Sequence, residues 1–348
     1  MTKPIVIYRL GSLGDTIVAL PCFHAITRAH PGAERVVLTN SPVSAKAAPL
    51  EGILGGSGLM DRAMAYPVGT RSLKALWALR GELRALGADT LYYLTPARGL
   101  AAAWRDWLFF KLCGFKHIVG APLTAELQAN RIVNAQGDLE RECLRLARCL
   151  HALGPIPLDD RGHWSLGLST AERDRATACI APLQGQRFMA INMGGKVAIN
   201  DWGMDHWLPL LKQLSEAHPA LGLLVVGGPE DHPRGEEVAQ VWQGTLVNAC
   251  GALKPRESAA AVEGAALFIG HDSGPMHLAA AMGVRCIGLF GNNNPPGKWH
   301  PYGPGNTALH DMRGVRHVTV AQVERAAQEV LAQLPDISTP SVCGANTR

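Results

Sequence analysis

The stretch IVIYRLGSLGDTIVALP, residues 5–21, sets the frame for reading the chain. Four residues, Ile5 to Tyr8, form an apolar run into Arg9; a turn bearing Gly11 and Gly14 follows, then a second apolar run. This is the pattern of a buried strand passing through a tight turn into a helix, the opening unit of a helix-covered parallel sheet. Asp15 stands at the start of that helix. A helix N-terminus has free N–H groups and the positive end of a dipole, so anions gather there. A carboxylate in that place reads as a cap, where Asp is common, or as a catalytic base. On these residues alone both readings stand.

The same alternation continues outward. Strands are expected at 5–10, 35–40, 90–95 and 117–121, with helical stretches at 72–87 and 138–154. GPIPLDDRGHWSLGLST, residues 154–170, is rich in Pro, Gly and Asp and breaks the pattern. It then restarts with the strand candidates FMAINMG, LGLLVVGG, TLVNACG, ALFIGHDSG and RCIGLFG, whose centres are about twenty residues apart, as successive βα units are. The expected architecture is α/β with two doubly wound, Rossmann-like domains, residues 1–165 and 166–335, and a tail over 336–348. In such sheets ligands gather outside the carboxyl ends of the strands, so the loops that follow strands carry the functional interest.

Composition agrees. A chain of 348 residues exceeds what one hydrophobic core usually supports, and 47% apolar with 18% charged residues suits a globular protein. The eight cysteines include no C-x-x-C pair and no metal-ligand spacing, and most lie in apolar patterns as small buried hydrophobes. No apolar run approaches the roughly 18 residues of a membrane span, and MTKPIVIY lacks the pattern of a secretory leader, so a cytoplasmic protein is expected. The net charge divides as +6 over residues 1–168 and −2 over 169–348, which suits an anionic partner for the first half. The basic residues are scattered, without a nucleic-acid-binding motif.

Four loops stand out. In IGHDSGPMHLAAAMG, residues 269–283, a strand ends near Gly270 and Pro275 sits where the first helical turn tolerates proline. The N–H groups of Ser273, Gly274 and Met276 could cradle a diphosphate, with His277 donating to a phosphate oxygen. Asp272, repelled by phosphate, suits sugar hydroxyls instead. INMGGKVAINDWGMDHW, residues 191–207, offers Gly194, Gly195 and Lys196 to the same phosphates. VVGGPEDHPRGEE, residues 225–237, places Glu230 beyond a strand end, where acids bind ribose hydroxyls. GNNNPPGKWHPYGPG, residues 291–305, is a loop of the length that usually serves a function. Neither G-x-G-x-x-G nor G-x-x-x-x-G-K-[ST] occurs, which removes the main support for a dinucleotide or P-loop site.

With RLGSLGDTIVALP near one end and DSGPMHLAAAMG…CIGLFGNNNPPGKWHPYGP near the other, the chain resembles glycosyltransferase family 9, the lipopolysaccharide heptosyltransferases and their relatives. The resemblance implies a GT-B fold, two Rossmann-like domains facing a central cleft, and inverting, metal-independent sugar transfer from a nucleotide diphosphate, typically ADP-heptose. No cofactor beyond this donor is implied. It places the base on Asp15, the sugar-binding acid on Asp272, phosphate contacts on Ser273, Gly274 and His277, and the ribose acid on Glu230. The implied acceptor is an anionic glycolipid, a lipopolysaccharide-type or other lipid-linked glycan; peripheral contact with the cytoplasmic face of the inner membrane is the alternative reading of the 101–115 helix below. One departure stands out: the family usually has lysine two residues before the tryptophan of the 191–207 loop, and here that position is Asn200. It opens the alternatives of another nucleotide sugar, in O-antigen or capsule synthesis, or of a non-catalytic nucleotide-sugar-binding protein. A third alternative, an epimerase of similar fold acting on a nucleotide sugar, finds no second acid/base set in the sequence to support it.

AAAWRDWLFFKLCGF, residues 101–115, is a helix with two readings. Trp104, Trp107, Leu108 and Lys111 recur at helical spacing, and Arg105 adds charge. It reads as a core helix packed on the first sheet, or as a surface that rests on anionic lipid.

Overall fold

Two all-parallel sheets carry the chain. The computed structural model describes residues 2–40, 49–66, 68–70, 72–195 and 197–333, so Lys196 and the tail expected over 336–348 lie outside the described residues. The first sheet takes β1 (Ile5–Tyr8), β2 (Arg35–Asn40), β3 (Arg62–Tyr66), β4 (Thr90–Tyr93) and β5 (His117–Val119), in the order β3-β2-β1-β4-β5. Its helices are α1 (Leu13–Ile17), α2 (Leu20–Ala29), α3 (Glu51–Leu54), α4 (Leu73–Ala85), α5 (Leu100–Leu112), α6 (Ala125–Gln128) and α7 (Glu142–Cys149).

After α8 (Thr170–Cys179) the second sheet takes β6 (Phe188–Asn192), β7 (Gly222–Val225), β8 (Leu246–Asn248), β9 (Leu267–His271), β10 (Cys286–Phe290) and β11 (Thr307–His310). Its order is β11-β10-β9-β6-β7-β8. The helices are α9 (Met204–Ala217), α10 (His232–Ala239), α11 (Pro255–Val262), α12 (Gly274–Ala281) and α13 (Val320–Ala332). Both sheets are doubly wound, and strand order reverses between β1 and β4 in one and between β6 and β9 in the other.

The period-two geometry of a strand explains the layers. Ile5 and Ile7 face α2 and α7, while Val6 and Tyr8 face α4 and α5. In the second sheet Met189 and Ile191 face α9 and α13, and Ala190 and Phe268 face α11 and α12. Buried on both faces, the central strands read as continuous apolar runs, as the sequence indicates.

The structure differs from the sequence reading at the edges. β3 (RAMAY) and β11 (TALH) add an outer strand to each sheet; both are half-open to solvent and lack a strong apolar run. The helix expected at 138–154 shrinks to α7. Its first residues are drawn into extended pairing with the 291–305 loop, where Leu139 N–H donates to the Pro296 carbonyl and Glu142 N–H to the Lys298 carbonyl, each at 2.9 Å.

Arg256 of α11 joins the halves. Buried to 5% exposure, it donates to the carbonyls of Ile53, Leu166 and Gly167 and grips both oxygens of Glu172. That grip holds the Glu172 carboxyl down at about 2. Removing one partner of such a pair leaves the other uncompensated, so Arg256→Ala is expected to cost about 3–5 kcal/mol in chemical denaturation. Because the native carboxyl titrates below its ordinary 4.5, the pair's contribution is full above that pH and fades as pH falls towards 2. The wild-type-to-variant gap in melting temperature should therefore narrow in acid.

Candidate active site

The helices that begin beside the two switch points meet end to end. A side chain at Gly274 would lie 2.8 Å from Leu13, and one at Gly14 would lie 3.1 Å from the His277 ring and 3.4 Å from Gly274 Cα. The N-terminus of α1, following β1, thus abuts the N-terminus of α12, following β9, with only hydrogen between the two backbones at these positions.

Asp15 sits at this junction. Its Oδ2 accepts from Ser12 N–H at 2.7 Å and from the Ser12 hydroxyl at 3.0 Å, which is a capping arrangement at the start of α1. Oδ1 has no hydrogen-bond donor among the described residues and faces only Arg9 Nη2 at 4.0 Å. Cap and base are therefore compatible, one oxygen for each. Arg9 is fully enclosed and donates to the carbonyls of Asp15 and Leu94, which ties the turn after β1 to the end of β4.

Across the junction, Asp272 occupies the turn after β9. Its Oδ2 accepts from Asn294 Nδ2 at 2.7 Å, and its main-chain carbonyl accepts from Asn200 Nδ2 at 3.2 Å. Burial pushes the Asp272 carboxyl up to about 6 and the nearby Asp15 charge adds to the rise, while the Asn294 bond opposes it. His277, buried one turn into α12, is pulled down to about 4 by burial despite the attraction of Asp15. It is a neutral imidazole at physiological pH, a donor of one N–H and not a cation. Ser273 stands at the N-cap position of the same helix, but its Oγ donates to Asn192 Oδ1 at 3.2 Å and does not cap the helix.

The remaining sequence candidates lie around this turn. Gly194 is buried against the Asp231 carboxylate, whereas Gly195 is exposed with open space about it. Glu230 is exposed on the turn after β7; its neighbour Asp231, accepting from Gly228 N–H at 3.0 Å, is the acid that reaches the Gly194 loop. Asn200 is buried and acts as a tie to the Asp272 turn, and Trp202 anchors the loop with its ring N–H on the Val318 carbonyl at 2.7 Å. No group of three or more His, Cys, Asp or Glu among the described residues gathers to hold a metal ion.

Sequence reasoning missed Asn294, Asn192 and His271. Asn294 lies within the loop singled out for its length, and the Asn-Asn-Asn run at a strand end was the available signal. Asn192 and His271 end β6 and β9, and a polar residue closing a buried apolar strand marks both. His271 accepts from Trp202 N–H at 3.2 Å and is itself pulled to about 4 by burial.

Two doubly wound halves with their helix N-termini meeting at paired switch points define a nucleotide-sugar enzyme of the GT-B class. The profile of glycosyltransferase family 9 (heptosyltransferase) matches residues 145–323. The chain belongs to this family and is a glycosyltransferase. It is similar in structure to a family 9 glycosyltransferase from Veillonella parvula, at 18% identity and a TM-score of 0.71, over 95% of this chain and 98% of that one. E. coli heptosyltransferase WaaC with ADP aligns at 18% identity and 0.64, over 94% and 99%. E. coli ADP-heptose lipopolysaccharide heptosyltransferase II aligns at 16% and 0.62, over 95% and 99%. No curated protein gives a significant sequence match.

The raised Asp272 carboxyl makes a testable statement. Titrating at about 6 in the folded chain against an ordinary 3.8, it favours the native state when protonated and opposes it when ionised. Asp272→Asn should raise the melting temperature at pH 8, and that advantage should shrink as pH falls below about 6 and vanish well below 3.8, where the wild-type carboxyl is neutral in both states. A gain that does not vary with pH would assign the effect to packing.

Proposed function

We propose that the chain transfers a sugar with inversion from a nucleotide diphosphate to an anionic, lipid-anchored glycan, with heptose from ADP-heptose as the donor and a lipopolysaccharide-type acceptor. The observation that carries this reading is the junction of α1 and α12, which brings Asp15 from one half against the Asp272–His277 turn of the other. Residues 1–165 would receive the acceptor and 166–335 the donor.

In this reading the acceptor hydroxyl attacks the anomeric carbon from the side opposite the leaving group. The new C–O bond forms as the bond from the anomeric carbon to the diphosphate oxygen breaks, and the hydroxyl proton passes to Asp15 Oδ1. Ser12 keeps the carboxylate in place through the other oxygen. The departing diphosphate gains charge, and the Ser273 and Gly274 N–H groups with the His277 imidazole N–H are the donors assigned to it. Gly194 and Gly195 are assigned to the other side of the diphosphate, with Lys196 of the same loop as its cation on the sequence reading; Asp272 takes sugar hydroxyls, and Glu230 takes the ribose. The E. coli heptosyltransferase solved with ADP supports an adenine nucleotide as donor.

A second reading keeps the chemistry and changes the donor. Asn200 stands where the family usually has lysine, and its amide is occupied by the Asp272 carbonyl. A sugar other than heptose, used in O-antigen or capsule synthesis, would suit a site with one cation fewer. A thermal-shift panel of nucleotide sugars separates the two, because the true donor raises the melting temperature by mass action.

Asp15→Asn should bind donor nearly as wild type does by calorimetry while turnover falls by about 10² or more, the scale of general-base catalysis. Wild-type turnover in the variant would reduce Asp15 to its capping role.

A further inference from the structure

The helix with two sequence readings, α5, satisfies only half of the core reading. Ala103, Asp106 and Phe110 face inward, and Asp106 is held by Tyr93, Arg98 and Arg105. The opposite stripe is apolar and open: Trp104, Leu108 and Leu112 are 50%, 56% and 59% exposed, at four-residue spacing. Helix α4, on the same face of the sheet, repeats the arrangement. Its Leu79 and Leu83 are core, while Leu73 and Trp77 are 81% and 69% exposed.

Arg80 joins the two stripes. Its guanidinium lies 4.6 Å from the centre of the Trp77 ring, and its Nε donates to the Leu112 carbonyl of α5 at 2.9 Å. Exposed apolar residues thus line both helices, α5 being about 20 Å long over its thirteen residues, with Arg80 bridging the two. Single exposed apolar residues are ordinary, but a contiguous patch of this kind marks a contact surface.

Its rim is basic. Lys74, Arg80, Arg84, Arg105, Lys111 and Lys116 lie on or beside the two helices. Of the acids in residues 72–117, Asp89 pairs with Lys3 and Asp106 is buried among arginines, which leaves Glu82. A second copy of the chain would press this basic rim against itself in a two-fold contact, where like charges oppose each other. An anionic bilayer instead receives the cations at its headgroups and the Trp and Leu side chains at the acyl boundary.

We infer that the exposed stripe of α4 and α5 is a docking surface for an anionic phospholipid bilayer. The inference rests on the lipid-anchored acceptor of the proposed function, and the topology joins the two. Both helices start from the carboxyl edge of the first sheet, the edge from which Asp15 also emerges, so the Leu73 and Trp104 end of the patch is the end nearer the reacting groups.

The test is co-sedimentation of the full chain with vesicles of phosphatidylglycerol and phosphatidylethanolamine, beside phosphatidylcholine vesicles, at low and high salt. Wild type should partition onto the anionic vesicles at low salt and be released by high salt. The double variant Trp77→Glu/Leu108→Glu, both positions being on the surface, should keep its melting temperature and lose about tenfold or more in partitioning. Equal binding by the variant, or no binding of wild type to anionic vesicles at low salt, would overturn the surface. So would a wild-type dimer abolished by the same substitutions without vesicle binding, which would make the patch an interface between copies. Transfer to a delipidated, soluble acceptor separates this proposal from the catalytic one. The double variant should retain that transfer, whereas Asp15→Asn should lose it and still bind vesicles.

Discussion

The contact between α1 and α12 is the constraint from which the site follows. Two helix N-termini carry like partial charges and do not attract each other. They meet here because Gly14 and Gly274 present no side chain, and because Leu278 and Ala281 of α12 pack into the core that covers the first sheet. Apolar burial presses the ends together and the capping carboxylate Asp15 offsets the repulsion. The cleft floor is therefore made by packing, and the groups with chemistry are carried to it.

Desolvation then sets their states. Asp15 lies close enough to Asp272 to be felt by it, and the burial that raises Asp272 also keeps His277 neutral. In the proposed reading, an incoming sugar would replace water around Asp272 with hydroxyl donors, and an incoming diphosphate would accept from the His277 imidazole N–H.

The strands whose residues are buried on both faces were legible in sequence, because their apolar runs are unbroken; β3 (RAMAY) and β11 (TALH) were not, because neither presents a sustained β-branched or alternating apolar run. The motif turns placed Asp15, Asp272 and Gly274 on strand-to-helix turns, and the structure has them on such turns. What could not be read was pairing across distance. Nothing in the order of residues says that Asn294 bonds Asp272, that Arg256 reaches Ile53, or that Asp231 and not Glu230 lies against Gly194. The 101–115 helix shows the same limit: its composition marked it as apolar, but only packing distinguishes the buried stripe from the open one.

The loop 291–305 belongs to the second half by chain order and to both halves by contact. Its Pro296 and Lys298 carbonyls take main-chain N–H groups from residues 139 and 142, Arg141 Nε donates to the Pro301 carbonyl, and Tyr302 stacks on Trp164. The halves are consequently not interchangeable cassettes. A second half grafted from a relative at the 154–170 crossover would bring its own version of this loop to a foreign 139–142 segment, with main-chain bonds that demand matched geometry. Recombination at this crossover that preserves the packing must therefore carry the 139–142 segment together with the loop it receives.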